Sequence, residues 1–164
     1  MKELLNQLSG YNLWANQTIL EAIYQLPEEK QMKEMVSSFS SIYKTIVHMW
    51  SAESIWWQRV KLQERVIAPA DSFEGDLKEA GNNLLNQDRQ WLDWIANSQE
   101  HMFQHVFQYQ NSKREQFKQP VYQMLLHLFN HNTYHRGQLV NLMRQAGVEK
   151  LPATDFILWS RKKN

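Results

Sequence analysis

His131 and His135 stand one helical turn apart in the run Leu125-Leu126-His127-Leu128-Phe129-Asn130-His131-Asn132-Thr133-Tyr134-His135-Arg136-Gly137-Gln138. Side chains at i and i+4 share a helix face, so both imidazoles can reach one cation. His48, in another helical stretch, can supply a third nitrogen. Metal coordination is the chemistry that this spacing suggests. His127 extends the series but not the site. With ~1.5 Å of rise per residue, His127 and His135 are ~12 Å apart along the axis, and their rings would meet almost in line rather than tetrahedrally. One adjacent pair must therefore be chosen. His101 and His105 repeat the spacing, but their segment reads as a strand, where the same step covers about 13 Å, too far for one ion.

Four long helices are expected to position these side chains. In the first, Leu4, Leu8, Ala15, Ile19, Ala22, Ile23 and Leu26 recur at helical spacing, and Pro27 stops the run. The second begins near the serines of residues 37–41, any of which can cap it, and continues to about Leu62. Its apolar residues surround the helix, which predicts a central position. The third spans about residues 76–97, with Leu77, Ala80, Leu84, Trp91 and Ile95 on one side. The fourth opens after Pro120, a good first-turn residue, and lasts until Gly147 closes it.

Between the third and fourth, residues 101–109 alternate loosely, Asn111-Ser112 can turn and residues 115–118 can return, so a short hairpin is expected. Residues 66–75, containing Pro69, read as a loop. After Pro152, Thr154 or Asp155 can cap a final short helix through Trp159. With no repeats, low-complexity tracts or linker, residues 1–164 read as one domain. The expected fold is all-α: a four-helix bundle with a short β-hairpin insertion between the third and fourth long helices and a short C-terminal helix.

Helix phase selects the inward histidines. At roughly 100° per residue, Val121, Met124, Leu128, Leu139, Leu142 and Ala146 form one stripe. His131 and His135 fall within it, and His127 and Tyr134 lie at its margin. Two imidazoles side by side in an apolar seam lose hydration and need partners, which a shared metal supplies. The competing reading is a pair of satisfied core histidines. For His48 the phase leaves ligand and core histidine equally open, because its helix is apolar on several sides.

Other polar residues are less directed. Glu53, five residues after His48, can orient a ligand or shuttle a proton, or stand as an unpaired surface glutamate. Asn130 can hydrogen-bond nearby, and Arg136 reads as half of a structural ion pair. Trp50, Trp56, Trp57, Trp91 and Trp94 read mostly as core, with one or two available to line a pocket above the metal.

Composition limits the partners. The chain has 164 residues, enough for a real core, and no cysteine. Disulfides, thiolate metal sites and cysteine nucleophiles are thereby excluded, so a transition metal must sit on nitrogen and oxygen ligands. The lack of cysteine also fits a reducing compartment. A formal net charge of +1 provides no field to attract polyanions, so nucleic acid is not an expected partner. The tail Arg161-Lys162-Lys163 reads as a solvated end. The N-terminus acquires polar residues too soon for a signal peptide, and nowhere do ~18 apolar residues run together. A cytoplasmic protein that does not enter membranes is expected.

Taken in order along the chain, these residues resemble the DinB-like, or DinB/YfiT-like, superfamily of small metal-binding four-helix bundles. The likeness begins with Tyr11-Asn12-Leu13-Trp14-Ala15-Asn16, continues through Ser38-Phe39-Ser40-Ser41-Ile42 and Ile46-Val47-His48, and is sharpest at Asn130 to Gln138. It implies a metal triad of His48 with the His131 and His135 pair. The family's name refers to DNA-damage induction, which describes expression rather than DNA contact. Characterised relatives include transferases that attach low-molecular-weight thiols to small electrophiles, and many members have no assigned reaction.

Three neutral imidazoles leave a divalent ion its full charge and at least one open position. Such an ion lowers the pKa of bound water or of a bound thiol. Zinc is the first choice because it needs no redox partner; nickel, iron and copper also suit nitrogen donors. Two functional readings follow. One is a metal-dependent enzyme acting on a small molecule, by thiol transfer to an electrophile or by hydrolysis. The other is a non-catalytic metal-binding or ligand-sensing bundle that works as a homodimer.

Overall fold

The computed structural model describes residues 1–111 and 113–161. Helix α1 (Lys2–Ile23) turns Leu5, Ser9, Asn12, Ala15, Asn16, Ile19, Leu20 and Ile23 inward. Leu4, expected on that face, is instead 55% exposed, and Leu5 takes its place. The inward stripe runs through Ser9, Asn12 and Asn16, which an apolar periodicity does not count. Pro27 does more than end the run: it sits at the N-cap of a short helix, α2 (Glu28–Met32), that the sequence reading did not anticipate.

Helix α3 (Ile42–Val60) starts at the last of the candidate serines. Ser41 Oγ accepts a hydrogen bond from the Lys44 backbone N–H at 3.0 Å, satisfying one of the free donors of the first turn. Helix α4 (Leu77–Asn97) is capped in the same way by Asp76 Oδ1, 2.7 Å from the Glu79 nitrogen. It buries Leu77, Ala80, Leu84, Trp91 and Ile95 as expected, together with Gln87 and Asp88.

The expected central position of α3 is not what the structure shows. Helix α3 packs on α4 and on helix α5 (Val121–Gln145), and α1 packs on the same two helices. The four long helices thus occupy corners, with α1 and α3 chiefly diagonal. The outward aromatic residues of α3 are covered by loops and by the hairpin: Trp50 meets Phe73 at 5.0 Å between ring centres, and Trp56 meets Tyr109 at 4.9 Å.

That hairpin consists of β1 (Val106–Gln110) and β2 (Gln116–Pro120), antiparallel, with Val106 opposite Pro120 and Gln110 opposite Gln116. Asn111 Oδ1 holds the turn by accepting from the backbone N–H groups of Lys113 and Glu115. Ser112, expected in this turn, lies outside the described residues. The strand begins later than the sequence reading placed it. His101 lies in a 3-10 turn (Glu100–Phe103) anchored by buried Phe103, and His105 precedes β1, so neither is in a strand.

Pro120 occupies the N-cap of α5 rather than its first turn. The helix ends where Gly147 adopts a φ of +89° and the Val148 N–H reaches back to the Met143 carbonyl at 3.0 Å, a closure that favours glycine. The loop before α4 contains a 3-10 turn at Pro69–Asp71. Helix α6 (Phe156–Arg161) ends the described chain and buries Trp159. Lys162 and Lys163 of the expected basic tail lie outside the described residues.

The core is divided. One apolar cluster joins Ile19, Ile23, Ile42, Ile46, Leu84, Leu139 and Leu142; the other joins Leu5, Trp91, Ile95, Phe103, Leu125 and Leu128. Between them, on all four long helices, the buried positions are polar: Asn12, Asn16, Glu53, Asp88, Asn132 and Arg136. None of the described helices is long and apolar enough to cross a membrane.

Candidate metal centre

Antiparallel α3 and α5 bring His48 against the His131 and His135 pair. The Nε2 atoms of His48 and His131 are 3.2 Å apart, those of His48 and His135 are 3.2 Å apart, and those of His131 and His135 are 3.0 Å apart. Metal–nitrogen bonds of about 2.0–2.1 Å at tetrahedral angles place donor nitrogens about 3.3 Å from one another. The observed triangle matches that spacing closely. Among the described residues, this is the group of three whose donor atoms converge in this way.

Tautomer and protonation favour the same interpretation. His135 Nδ1 lies 2.7 Å from Gln138 Oε1, which can only accept, so the proton sits on Nδ1 and Nε2 presents a lone pair to the centre. Gln138 is fixed in turn by donating to Ser38 Oγ at 3.0 Å. Phe39, from the same loop as Ser38, stacks on His48 at 4.0 Å between ring centres. Burial, then the neighbouring His135, pushes the pKa of His48 down to about 4. Burial and the adjoining imidazoles push that of His131 down to about 3, and burial lowers His135 as well. Three lone pairs aimed at one point repel unless a cation lies among them, so the donor set fits a divalent metal.

The comparisons with known proteins agree with the architecture. A sequence model of the DinB family matches residues 1–162. The chain belongs to the DinB family. It is 28% identical over 166 residues to Protein DinB of Bacillus subtilis (strain 168), covering 97% of this chain and 95% of that protein. Among solved structures, a DinB-like protein from Bacillus cereus ATCC 10987 is similar with a TM-score of 0.68 and 18% identity, covering 88% of this chain and 91% of that one. A DinB-like protein from Bacillus subtilis gives a TM-score of 0.67 with 15% identity over 91% of this chain and 98% of that one. At these identities the two structures speak for the fold.

In this DinB-family chain the remaining candidates separate clearly. His127 is exposed at the rim, with its ring 5.9 Å from that of His131. His101 and His105 are exposed and do not join the triad. Asn130 is exposed. Glu53 is neither a surface carboxylate nor a partner of the imidazoles: it is wholly buried in the polar layer, where Asn132 Nδ2 donates to its Oε1. Arg136 is likewise not in a direct ion pair. It donates to Asn12 Oδ1 at 2.7 Å and Asn16 Oδ1 at 2.9 Å, and those two amides donate to Asp88 at 2.6 and 2.9 Å.

Glu53 Oε2 finds no donor among the described residues, so as a carboxylate it would be buried bare. Burial first, then the Asp88 charge, holds its pKa well above the ordinary range, and as an acid it donates to Asp88. Burial raises Asp88 to about 6, against the lowering effect of its hydrogen bonds and of Arg136. Sequence reasoning missed Gln138, Phe39, Asn12, Asn16, Asp88 and Asn132 as site or support residues. For Gln138 the i+3 spacing from His135 was the available signal; for Asn12 and Asn16 it was their place inside an otherwise apolar stripe.

Proposed function

We propose that this chain binds a divalent ion, zinc by preference, through His48, His131 and His135, and acts on a small molecule by transferring a low-molecular-weight thiol to an electrophile or by hydrolysis. The observation that carries this reading is the convergence of three Nε2 atoms within 3.0–3.2 Å of one another. A divalent ion held there supplies Lewis acidity, lowering the pKa of a thiol or water that it binds so that a nucleophile exists near neutral pH.

The chain's own residues prepare that chemistry. Gln138 keeps the His135 proton on Nδ1 and so aims Nε2 inward. Burial keeps the imidazoles neutral and ready to donate lone pairs. Phe39 covers one side of His48, while His48 and His131 remain half-exposed, which supports access by a small molecule and favours a reacting site over a closed structural one. Glu53, the nearest acid along α3, is engaged in the polar layer and is not positioned as a general base at the triad. A thiol suits this arrangement because a metal held by the triad would lower its pKa enough for the proton to pass to solvent, so no general base from the chain is required.

The test has two parts. Elemental analysis should find one divalent ion per chain, and His48→Ala, His131→Ala and His135→Ala should each lower its affinity by a factor of ten or more. Retention of wild-type affinity by all three variants removes the site. In cobalt-substituted protein, a small thiol should produce a sulfur-to-metal charge-transfer band. Failure of every common low-molecular-weight thiol to do so removes the transferase reading and leaves hydrolysis or a non-catalytic metal-binding bundle.

A further inference from the structure

A row of side chains leads away from the three histidines and ends on an arginine that has no counter-ion among the described residues. Arg59 follows His48 by eleven positions on α3. At about 100° and ~1.5 Å per residue it lies on nearly the same face, about 16 Å further along. Rings fill the interval: His127 sits 5.9 Å from His131 and 5.5 Å from Trp56, measured between ring centres. The Arg59 guanidinium carbon lies 4.7 Å from the Trp56 ring and 5.3 Å from the Tyr109 ring. All of these side chains are half-exposed or exposed, so the row is open to a ligand lying along it.

The state of Arg59 is unusual for a surface guanidinium. No carboxylate lies within ion-pairing distance of it, and its side chain donates no hydrogen bond, among the described residues; its Nε is shut off from solvent without an acceptor. A buried donor with no partner is costly, and partial burial also disfavours the charge itself. Beside it is a cleft of about 340 Å³, whose walls include Gln63, Glu64 and Gln110. One cation with neighbouring amides and one carboxylate on the wall suits a single negative charge better than the double charge of a phosphate.

We propose that Arg59 anchors the carboxylate of an elongated small-molecule substrate whose reacting end lies at the three histidines and whose body stacks along His127 and Trp56. This rests on the metal-site reading above and narrows its substrate class: an acid long enough to bridge about 16 Å less the reach of the arginine side chain, hence on the order of 10 Å or more. A short acid cannot engage both ends.

Three thiols test it against zinc-loaded, metal-free and cobalt-loaded full-length protein: 11-mercaptoundecanoate, the uncharged 11-mercaptoundecanol, and 3-mercaptopropionate. The Arg59 Nε–H resonance, assigned by its loss in Arg59→Gln, reports the anchor, and the cobalt charge-transfer band reports the thiol. The long acid should shift the Arg59 resonance and bind about tenfold more tightly than the alcohol. Arg59→Gln should erase that preference while leaving the band intact, and Arg59→Lys should restore part of it. The short acid should produce the band without moving Arg59.

An unmoved Arg59 resonance with the long acid overturns the proposal, as does a carboxylate preference that survives in Arg59→Gln. If no thiol produces the band, the thiol reading falls. The Arg59 shift in zinc-loaded and metal-free protein then decides the anchor separately.

Discussion

Bringing three imidazoles into contact has a consequence for how the site competes with protons. An ordinary histidine near pKa 6.5 is mostly protonated at pH 6, and three independent ones would weaken metal binding roughly 60-fold between pH 8 and pH 6. Here burial holds His48 near 4 and His131 near 3, so those two rings are already neutral across that range, and burial lowers His135 in the same direction. Metal affinity measured against a chelator of known proton dependence should therefore change less than about threefold from pH 8 to 6. A fall of the ordinary size would show that the rings are hydrated and apart in the metal-free protein. The pair His131 and His135 was legible from sequence because the i, i+4 step and the flanking apolar stripe agree. The direction of His48 was not, because Trp50, Ile55 and Trp56 give its helix apolar character on other sides; only the resemblance joined it to the pair.

Each long helix contributes to one buried polar layer, and its charges balance only with a proton added. Glu53 and Asp88 face the single cation Arg136, and the extra proton resides on Glu53. The linkage sign follows directly. Unfolded, Glu53 ionises above its ordinary value of 4.5, whereas in the fold its pKa is raised well above that. The native state then binds one more proton, and stability is lost as pH rises until native Glu53 also ionises. The slope approaches about 1.4 kcal/mol per pH unit for one proton. Urea melts of metal-free protein between pH 6 and 9 should show wild type losing stability relative to Glu53→Gln, which keeps the shape without the ionisation. Parallel pH profiles for the two would mean that Glu53 is ionised in the fold. Arg136→Met, which leaves Asp88 without its cation and strips two amide oxygens of a donor, should cost about 3–5 kcal/mol. The layer was hidden in the sequence for a definite reason: Asn12 and Asn16 interrupt an apolar stripe, where an apolar periodicity does not count them, and only their partners on other helices make burial affordable.

At the scale of the whole molecule, the elements that were legible are those long enough to repeat, together with the short hairpin and C-terminal helix that turn and cap residues mark. The four long helices emerged from periodicity, with a serine cap for α3 and a stop at Gly147 as end signals, whereas the choice of Ser41 and the Asp76 cap of α4 are seen only in the structure. Helix α2 and the 3-10 turn holding His101 did not, because a single turn contains no period. The same architecture determines what the ion can contribute to folding. Two apolar clusters flank the polar layer, and neither includes the triad, so the helices bury their faces whether or not a metal is bound. A ligand that binds only the native state adds RT ln(1 + [L]/Kd), about 2.7 kcal/mol at a hundredfold excess over Kd. For a chain of this size that is roughly 5–10 °C in Tm. Chelation should therefore lower the Tm by about that amount while far-ultraviolet helicity at 25 °C stays within a few per cent of the metal-loaded value. Collapse of the helical signal on chelation would show that the triad, rather than the two clusters, holds α3 against α5.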